Sequence, residues 1–384
     1  MLISYQEALK IIQTHIEPLQ ITQTLPLLKA LNRISSSAIY AKFALPKHPM
    51  SLKEGYGIAY DVNTSFYTLL NPPYLASIPL GHGVRLSTGE SIPKGADTVI
   101  AEEDLLIEEE TRIQIPLNIT RAQHIKKEGE DIAKDELLLK KDERISAQKI
   151  TALSSQGIMN VKVFKKPLIS ILSIGNQLAS GEIHNSNAMS LAARIIELGG
   201  KIGEIIMCEE DETKILLVLK SLLKKADCII TTGALSRHDA MRRLLEKKTL
   251  MPLFHHVRIA PAKPTSLTLY ENKPILHLPG LPLGCMLGFE MLGVPLLRHL
   301  QHRHCIIPDF ITCINQKRII CKDNCMSAIP GFSNGRSFVN APYYEAGRLN
   351  ILSQCNGYTL VEGKEVIEEG EEIPFFYFTH PPVS

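Results

Sequence analysis

Hydrophobic and polar residues recur along this chain with different periods, and each period predicts a different kind of structure. Ser4 followed three residues later by Glu7 is a capping box, and Ala8, Leu9, Ile11 and Ile12 then recur at helical spacing, so a helix opens the chain. A second amphipathic helix is expected over Leu25–Leu31, before Pro46, Pro49, Gly55 and Gly57 punctuate a segment without a period. From Tyr67 to Leu117 short apolar runs are broken by Gly81, Gly83, Gly89, Pro93 and Gly95, the pattern of a small β-rich domain. Helix returns over 146–157, with Ser146 as its cap and Gly157 as its stop.

After Pro167 the pattern becomes an alternation. Leu168–Ser173 is a continuous apolar strand, Met189–Leu198 a helix stopped by Gly199 and Gly200, and Ile202–Met207 a strand. Thr213–Leu223 follows as helix, Asp227–Thr232 as a strand running into Gly233, and Ala240–Leu245 as helix. This is a βαβ series, which predicts an α/β domain whose parallel sheet is buried on both faces and binds ligand beyond the carboxyl ends of its strands. Leu283–Leu300 is expected as a long helix, and the short alternating runs after Pro308 as a small β-barrel or sandwich. The fold class is thus α/β plus β, multi-domain, as 384 residues would suggest.

Composition excludes several functions. With 45% hydrophobic and 21% charged residues the chain is an ordinary globular one, and a formal charge of +2 with interspersed signs argues against a nucleic-acid partner. Glu7 interrupts any signal-peptide core, no uninterrupted apolar run has the length of a membrane span, and the eight cysteines lack the spacing of a disulfide framework. A cytoplasmic protein with reduced thiols, and no membrane partner, is the expectation. Cys321 and Cys325 with His302, His304 and Cys305 upstream make weak zinc evidence, and the pair His255-His256 is read as structural.

Three turns of the α/β domain are expected to converge on one anion: Ile174-Gly175-Asn176-Gln177, Gly233-Ala234-Leu235-Ser236 and Pro279-Gly280-Leu281-Pro282. Glycine there lets backbone N–H groups approach an anionic ligand at a helix start. In their order along the chain, these turns resemble those of the molybdopterin molybdenumtransferases, the MoeA family that includes the C-terminal part of gephyrin. Ser173-Ile174-Gly175-Asn176-Gln177-Leu178 and Thr231-Thr232-Gly233-Ala234-Leu235-Ser236 match two family motifs. So do Ser87-Thr88-Gly89, Lys127-Glu128-Gly129-Glu130-Asp131-Ile132, Pro261-Ala262-Lys263-Pro264 and Cys355-Asn356-Gly357.

The resemblance implies a homodimer of elongated subunits in four parts: residues 1–50 with 128–166, an inserted β-rich domain at 51–127, a molybdopterin-binding α/β domain at 167–303, resembling MoaB and MogA, and a C-terminal β-barrel at 304–384. It implies a cleft lined by the α/β domain and by β-rich parts of both subunits. The implied reaction is insertion of molybdate into adenylylated molybdopterin, with Mg²⁺-assisted release of AMP. Carried over by position, Glu54, Asp131, Lys263 and Asp239 are the candidate catalytic residues, with Glu54, Asp131 and Asp227 as metal ligands. Thr88, Gly175, Gln177, Gly233, Ser236, Pro279, Gly280 and Pro282 are the candidate substrate-binding residues.

The departures from the family pattern fall in the cleft. An acidic pair has become Asn176-Gln177, Ala234 and Ala262 stand for glycines, Leu281 stands for an asparagine, and the Ser236-Arg237-His238 stretch lacks a further glycine. Neutral amides bind Mg²⁺ less well than carboxylates and cannot act as a base at neutral pH. Lys53 brings a positive charge beside Glu54. Two readings follow: a transferase with a remodelled magnesium site, or a catalytically impaired paralogue that binds molybdopterin or a nucleotide without turnover. A scaffold role, with the last β domain binding a peptide, is the remote third.

Overall fold

The computed structural model describes residues 2–71, 77–236, 238–247, 249–321, 324–342 and 350–378. They divide into two compact units, one of residues 1–23 with 164–384 and one of residues 24–163.

The first unit opens with helix α1 (Tyr5–His15), capped as expected: the Ser4 hydroxyl accepts from the Glu7 backbone N–H and the Glu7 side chain reaches back to the Ser4 N–H. Its apolar stripe of Tyr5, Ala8, Leu9 and Ile12 is buried in the main core beside Ile169, Ile171 and Leu276. That core lies on one face of a six-stranded sheet built from β1 (Leu168–Ile174), β2 (Lys201–Cys208), β3 (Cys228–Thr232), β4 (Met251–His255), β5 (Ser266–Tyr270) and β6 (Lys273–Leu278). The spatial order is β2-β1-β3-β6-β5-β4, with β2, β1, β3 and β6 parallel. β5 runs antiparallel to both β6 and β4. The expected parallel sheet is therefore extended beyond β6 by a reversed strand, β5, and an edge strand, β4, two short apolar runs that periodicity cannot distinguish from buried helix.

Helices cover both faces. α2 (Asn176–Ala179), α3 (Ser186–Glu197), α4 (Glu212–Leu223) and α5 (Ala240–Glu246) follow their strands, and α6 (Pro282–Gly288) runs through a π-helical turn at Phe289–Gly293 into α7 (Val294–Leu300). α3, α6 and α7 contribute to the core that contains α1, while α4 and α5 form a second core with Leu172, Ile174, Ile229 and Ile275. The segment Pro282–Leu300 is long and apolar enough to cross a membrane, but its most apolar stretch is 83% buried inside the fold, as befits a core helix.

The rest of this unit is a closed five-stranded barrel of β7 (Ile311–Asn315), β8 (Met326–Ser333), β9 (Ser337–Asn340), β10 (Gly357–Glu362) and β11 (Glu372–Tyr377). Its order is β8-β9-β7-β11-β10, closed by antiparallel pairing of β8 with β10. Cys313, Ile329, Phe338 and Phe375 fill it.

The second unit contains a six-stranded sheet over the predicted β-rich stretch, from Gly55–Ile58 to Arg112–Gln114, and the helix Ala147–Ser155 capped by Ser146. The helix expected over Leu25–Leu31 does not form. Thr22–Pro26 is a strand and Leu27–Ala30 a single 3₁₀ turn, because Pro26 lacks an N–H and cannot lie inside a helix.

Candidate functional site

The three predicted turns do meet, at the carboxyl edge of the parallel strands. The Gly175 N–H donates to the Cys208 carbonyl at 3.0 Å, tying the first turn to the end of β2. The Gly233 N–H donates to the Leu278 carbonyl at 3.1 Å, tying the second turn to the end of β6. Gly233 has φ +98°, and a Cβ there would lie 2.2 Å from the Ile174 carbonyl oxygen, so the first two turns touch through backbone alone. A Cβ on Gly280 would lie 3.2 Å from the Gly233 Cα, which brings the third turn against the second. Glycine is required here because the backbones approach more closely than a side chain permits.

Side chains lock this cradle. The Thr232 hydroxyl donates to the Pro279 carbonyl at 3.0 Å. Asn187, in the first turn of α3, donates through Nδ2 to Thr232 Oγ1 at 3.1 Å and to the Gly280 carbonyl at 2.8 Å. Asn185 caps α3 by accepting from the Ala188 N–H, and its Oδ1 also accepts from the Ser173 hydroxyl at 2.9 Å. Neither asparagine was singled out by sequence reasoning; the only signal was a capping residue ahead of a helix. Pro279, Gly280 and Pro282 lie on the rim, with Pro282 opening α6.

The family departures are absorbed locally. Ala234 adopts φ +56°, the left-handed conformation that glycine takes most readily, at a cost of about 1–2 kcal/mol. Asn176 accepts from the Glu210 N–H at 3.0 Å, as an aspartate would. Gln177 donates to Glu182 at 2.9 Å, which places a carboxylate beside the first turn. Asp239 caps the second turn, accepting from the Ser236 N–H at 2.8 Å while its own N–H donates to the Ser236 carbonyl at 3.0 Å. Arg237 lies outside the described residues.

One candidate is misplaced. Asp227 stands before β3, at the amino edge of the sheet, where its Oδ2 accepts from the Leu168 N–H at 2.8 Å. It pins the start of β1 and is on the wrong side of the sheet for a metal ligand at the turns. Lys263 is exposed, in the loop leading into β5, at the edge where the glycine turns lie.

His277 is fully buried beneath this edge, bonded through Nδ1 to Thr231 and through Nε2 to Thr268, both at 2.9 Å. Burial pushes its pKa down to about 3, so the ring is neutral. Among the described residues no group of three or more histidine, cysteine or acidic side chains is placed to hold a metal.

In the second unit, Glu54 and Thr88 are exposed at neighbouring turns, which the Gly89 N–H joins by donating to the Ser51 carbonyl at 2.9 Å. Asp131 is exposed and paired with Lys126 at 2.6 Å. Lys53 does not crowd Glu54 in the way expected, because it pairs with Glu103 at 2.8 Å.

Comparison with known proteins bears directly on these turns. The family described as MoeA N-terminal region (domain I and II) matches residues 3–157, and the family described as probable molybdopterin binding domain matches residues 170–299. The chain belongs to the MoeA family. The second match takes in all three glycine turns. Among MoeA relatives, the molybdopterin molybdenumtransferase of Staphylococcus aureus (strain MSSA476) is 28% identical over 309 residues, 75% of this chain and 74% of the relative. That of Staphylococcus epidermidis (strain ATCC 12228) is 27% identical over 331 residues, 80% and 78% of the two. The fold matches the molybdopterin biosynthesis MoeA protein from Pyrococcus horikoshii OT3 with a TM-score of 0.84 at 23% identity, covering 98% of this chain and 100% of that one.

Proposed function

We propose that this protein is a molybdopterin molybdenumtransferase of molybdenum cofactor biosynthesis, which takes adenylylated molybdopterin and molybdate and releases AMP. The observation that carries this reading is the cradle, in which Gly175, Gly233 and Gly280 meet at the carboxyl edge of the sheet within the matched molybdopterin-binding region. Because the Gly175 and Gly233 N–H groups already donate to carbonyls, the donors that would meet a phosphate are those of the neighbouring helix starts, which the packed turns hold at this edge. Gln177 and Ser236 would orient the substrate at the first two turns, Lys263 would meet its charge as a point cation, and Asp239 would hold the second turn in shape. Thr88, Glu54 and Asp131 remain candidates by family resemblance alone.

Magnesium fits as a partner of the substrate phosphates. Mg²⁺ keeps several waters and takes one or two carboxylates beside phosphate oxygens, and Asp239 and Glu182 are the carboxylates at the turns. When bound it would offset phosphate charge. The impaired-paralogue reading is not favoured, because Ala234 adopts the left-handed backbone open to glycine and Glu182 places a carboxylate beside Gln177. The protein would act as a cytoplasmic homodimer, which light scattering on the purified chain would test by returning twice the monomer mass. AMP release from adenylylated molybdopterin with Mg²⁺ and molybdate tests the activity. Release abolished by Lys263→Ala supports the reading, and binding of substrate without release would sink it.

A further inference from the structure

The pair His255-His256, read from sequence as structural, lies where ligand chemistry is expected. β4 is antiparallel to β5, which is antiparallel to β6, so β4 and β6 point the same way and His255 ends at the edge that holds Pro279 and Gly280. His256 follows with φ +60°, turning the chain back toward Lys263, whose carbonyl accepts from the Val257 N–H at 3.0 Å. Arg242, on α5 behind the second glycine turn, reaches His256 with Nη1 at 3.2 Å from Nδ1. A guanidinium only donates, so Nδ1 must accept, and the imidazole is neutral with its proton on Nε2.

We propose that Arg242, the Nε2–H of His256 and Lys263 form an oxyanion subsite beside the glycine turns, taking a tetrahedral group such as phosphate or molybdate. The proposal rests on the transferase reading and adds two residues to its substrate contacts. All three groups are donors and two carry charge. The carboxylate facing them is Glu246, 2.9 Å from Arg242 Nε, which leaves one positive charge in excess. Burial first, then the charge of Arg242 and, for His256, that of Lys263 hold both imidazoles below the usual histidine value, which keeps them neutral beside the two cations. His255 adds a buried Nδ1 with no hydrogen-bond partner among the described residues.

The test is calorimetric titration of the full-length protein with sodium molybdate, inorganic phosphate and AMP at low salt, for wild type, Arg242→Gln and His256→Asn. Asparagine tolerates the left-handed backbone at 256, and near-UV circular dichroism checks that each variant is folded. Each substitution should weaken oxyanion binding about tenfold, the scale of one charge-assisted hydrogen bond. Loss confined to phosphate and AMP would assign the subsite to the phosphate, and loss confined to molybdate would assign it to the metal oxyanion. Folded variants that bind all three probes like wild type, or a wild type that binds none, would overturn it. AMP release measured alongside separates the two ideas: a wild type that binds oxyanions through Arg242 but never releases AMP keeps the subsite and loses the transferase.

Discussion

Asn187 is the residue on which the cradle most depends, because one amide group bridges two turns that are 48 positions apart in sequence at Thr232 and Gly280. The Gly280 carbonyl can only accept, and the Thr232 hydroxyl already donates its proton to the Pro279 carbonyl, so the donor cannot be replaced by an acid. Asn187→Asp should therefore be as harmful as Asn187→Ala, each lowering kcat/KM for AMP release by about 10- to 100-fold, as expected when a positioning group moves reacting atoms by about 1 Å. A wild-type KM and kcat in the aspartate variant would refute the clasp. His277 sets a second residue-scale expectation. Its folded pKa lies far below the unfolded value near 6.5, so the contribution to stability is complete above that value and is lost as pH falls toward 3. Between pH 7 and pH 5 this group should cost about 2 kcal/mol of unfolding free energy. Urea titrations at the two pH values would measure it, and His277→Gln should remove that part of the slope.

Local rules account for much of what was legible at the scale of elements, and non-local pairing for most of what was not. The capping box at Ser4 and Glu7, the cap at Ser146 and the β-α alternation after Pro167 are set by residues within a few positions of one another, and all appear in the fold. The Leu25–Leu31 helix failed on one residue, Pro26, that outweighed an amphipathic count. The reversed strand β5 and the edge strand β4 were invisible because their partners, not their patterns, define them. The same holds for the site: glycine turns announce themselves, whereas Asn187 and Arg242 gain meaning only from what they touch. Another such contact is the pair of Arg194 on α3 with Glu290 in the π-helical turn, at 2.7 and 3.1 Å with the Glu290 side chain 1% exposed. Both helices begin at the cradle, so this pair fixes the elements that carry Asn187 and Gly280. Arg194→Met leaves a buried carboxylate alone and should cost about 3–5 kcal/mol at neutral pH. Thermal unfolding would record the loss, which should shrink as pH falls, because burial raises the Glu290 pKa and the folded state then takes up the proton more readily than the unfolded one.

For the whole molecule, the question is whether a metal holds the structure or only serves the reaction. A structural metal needs a preassembled set of ligands, and its binding free energy is then folding free energy. Among the described residues no such set exists, and two carboxylates at the turns already accept from protein donors, Asp239 from the Ser236 N–H and Glu182 from Gln177. The stability of the unit that carries the cradle comes instead from its buried apolar layers on the two faces of the sheet. Chelation should therefore separate the two roles. EDTA in excess should abolish AMP release while leaving the melting temperature within about 1 °C of the untreated protein, since the several kcal/mol that a structural metal contributes would lower it by several degrees, at about 1 °C per kcal/mol in a protein of this size. A melting temperature that falls by several degrees on chelation, and recovers with magnesium alone, would place the metal in the fold and not with the substrate.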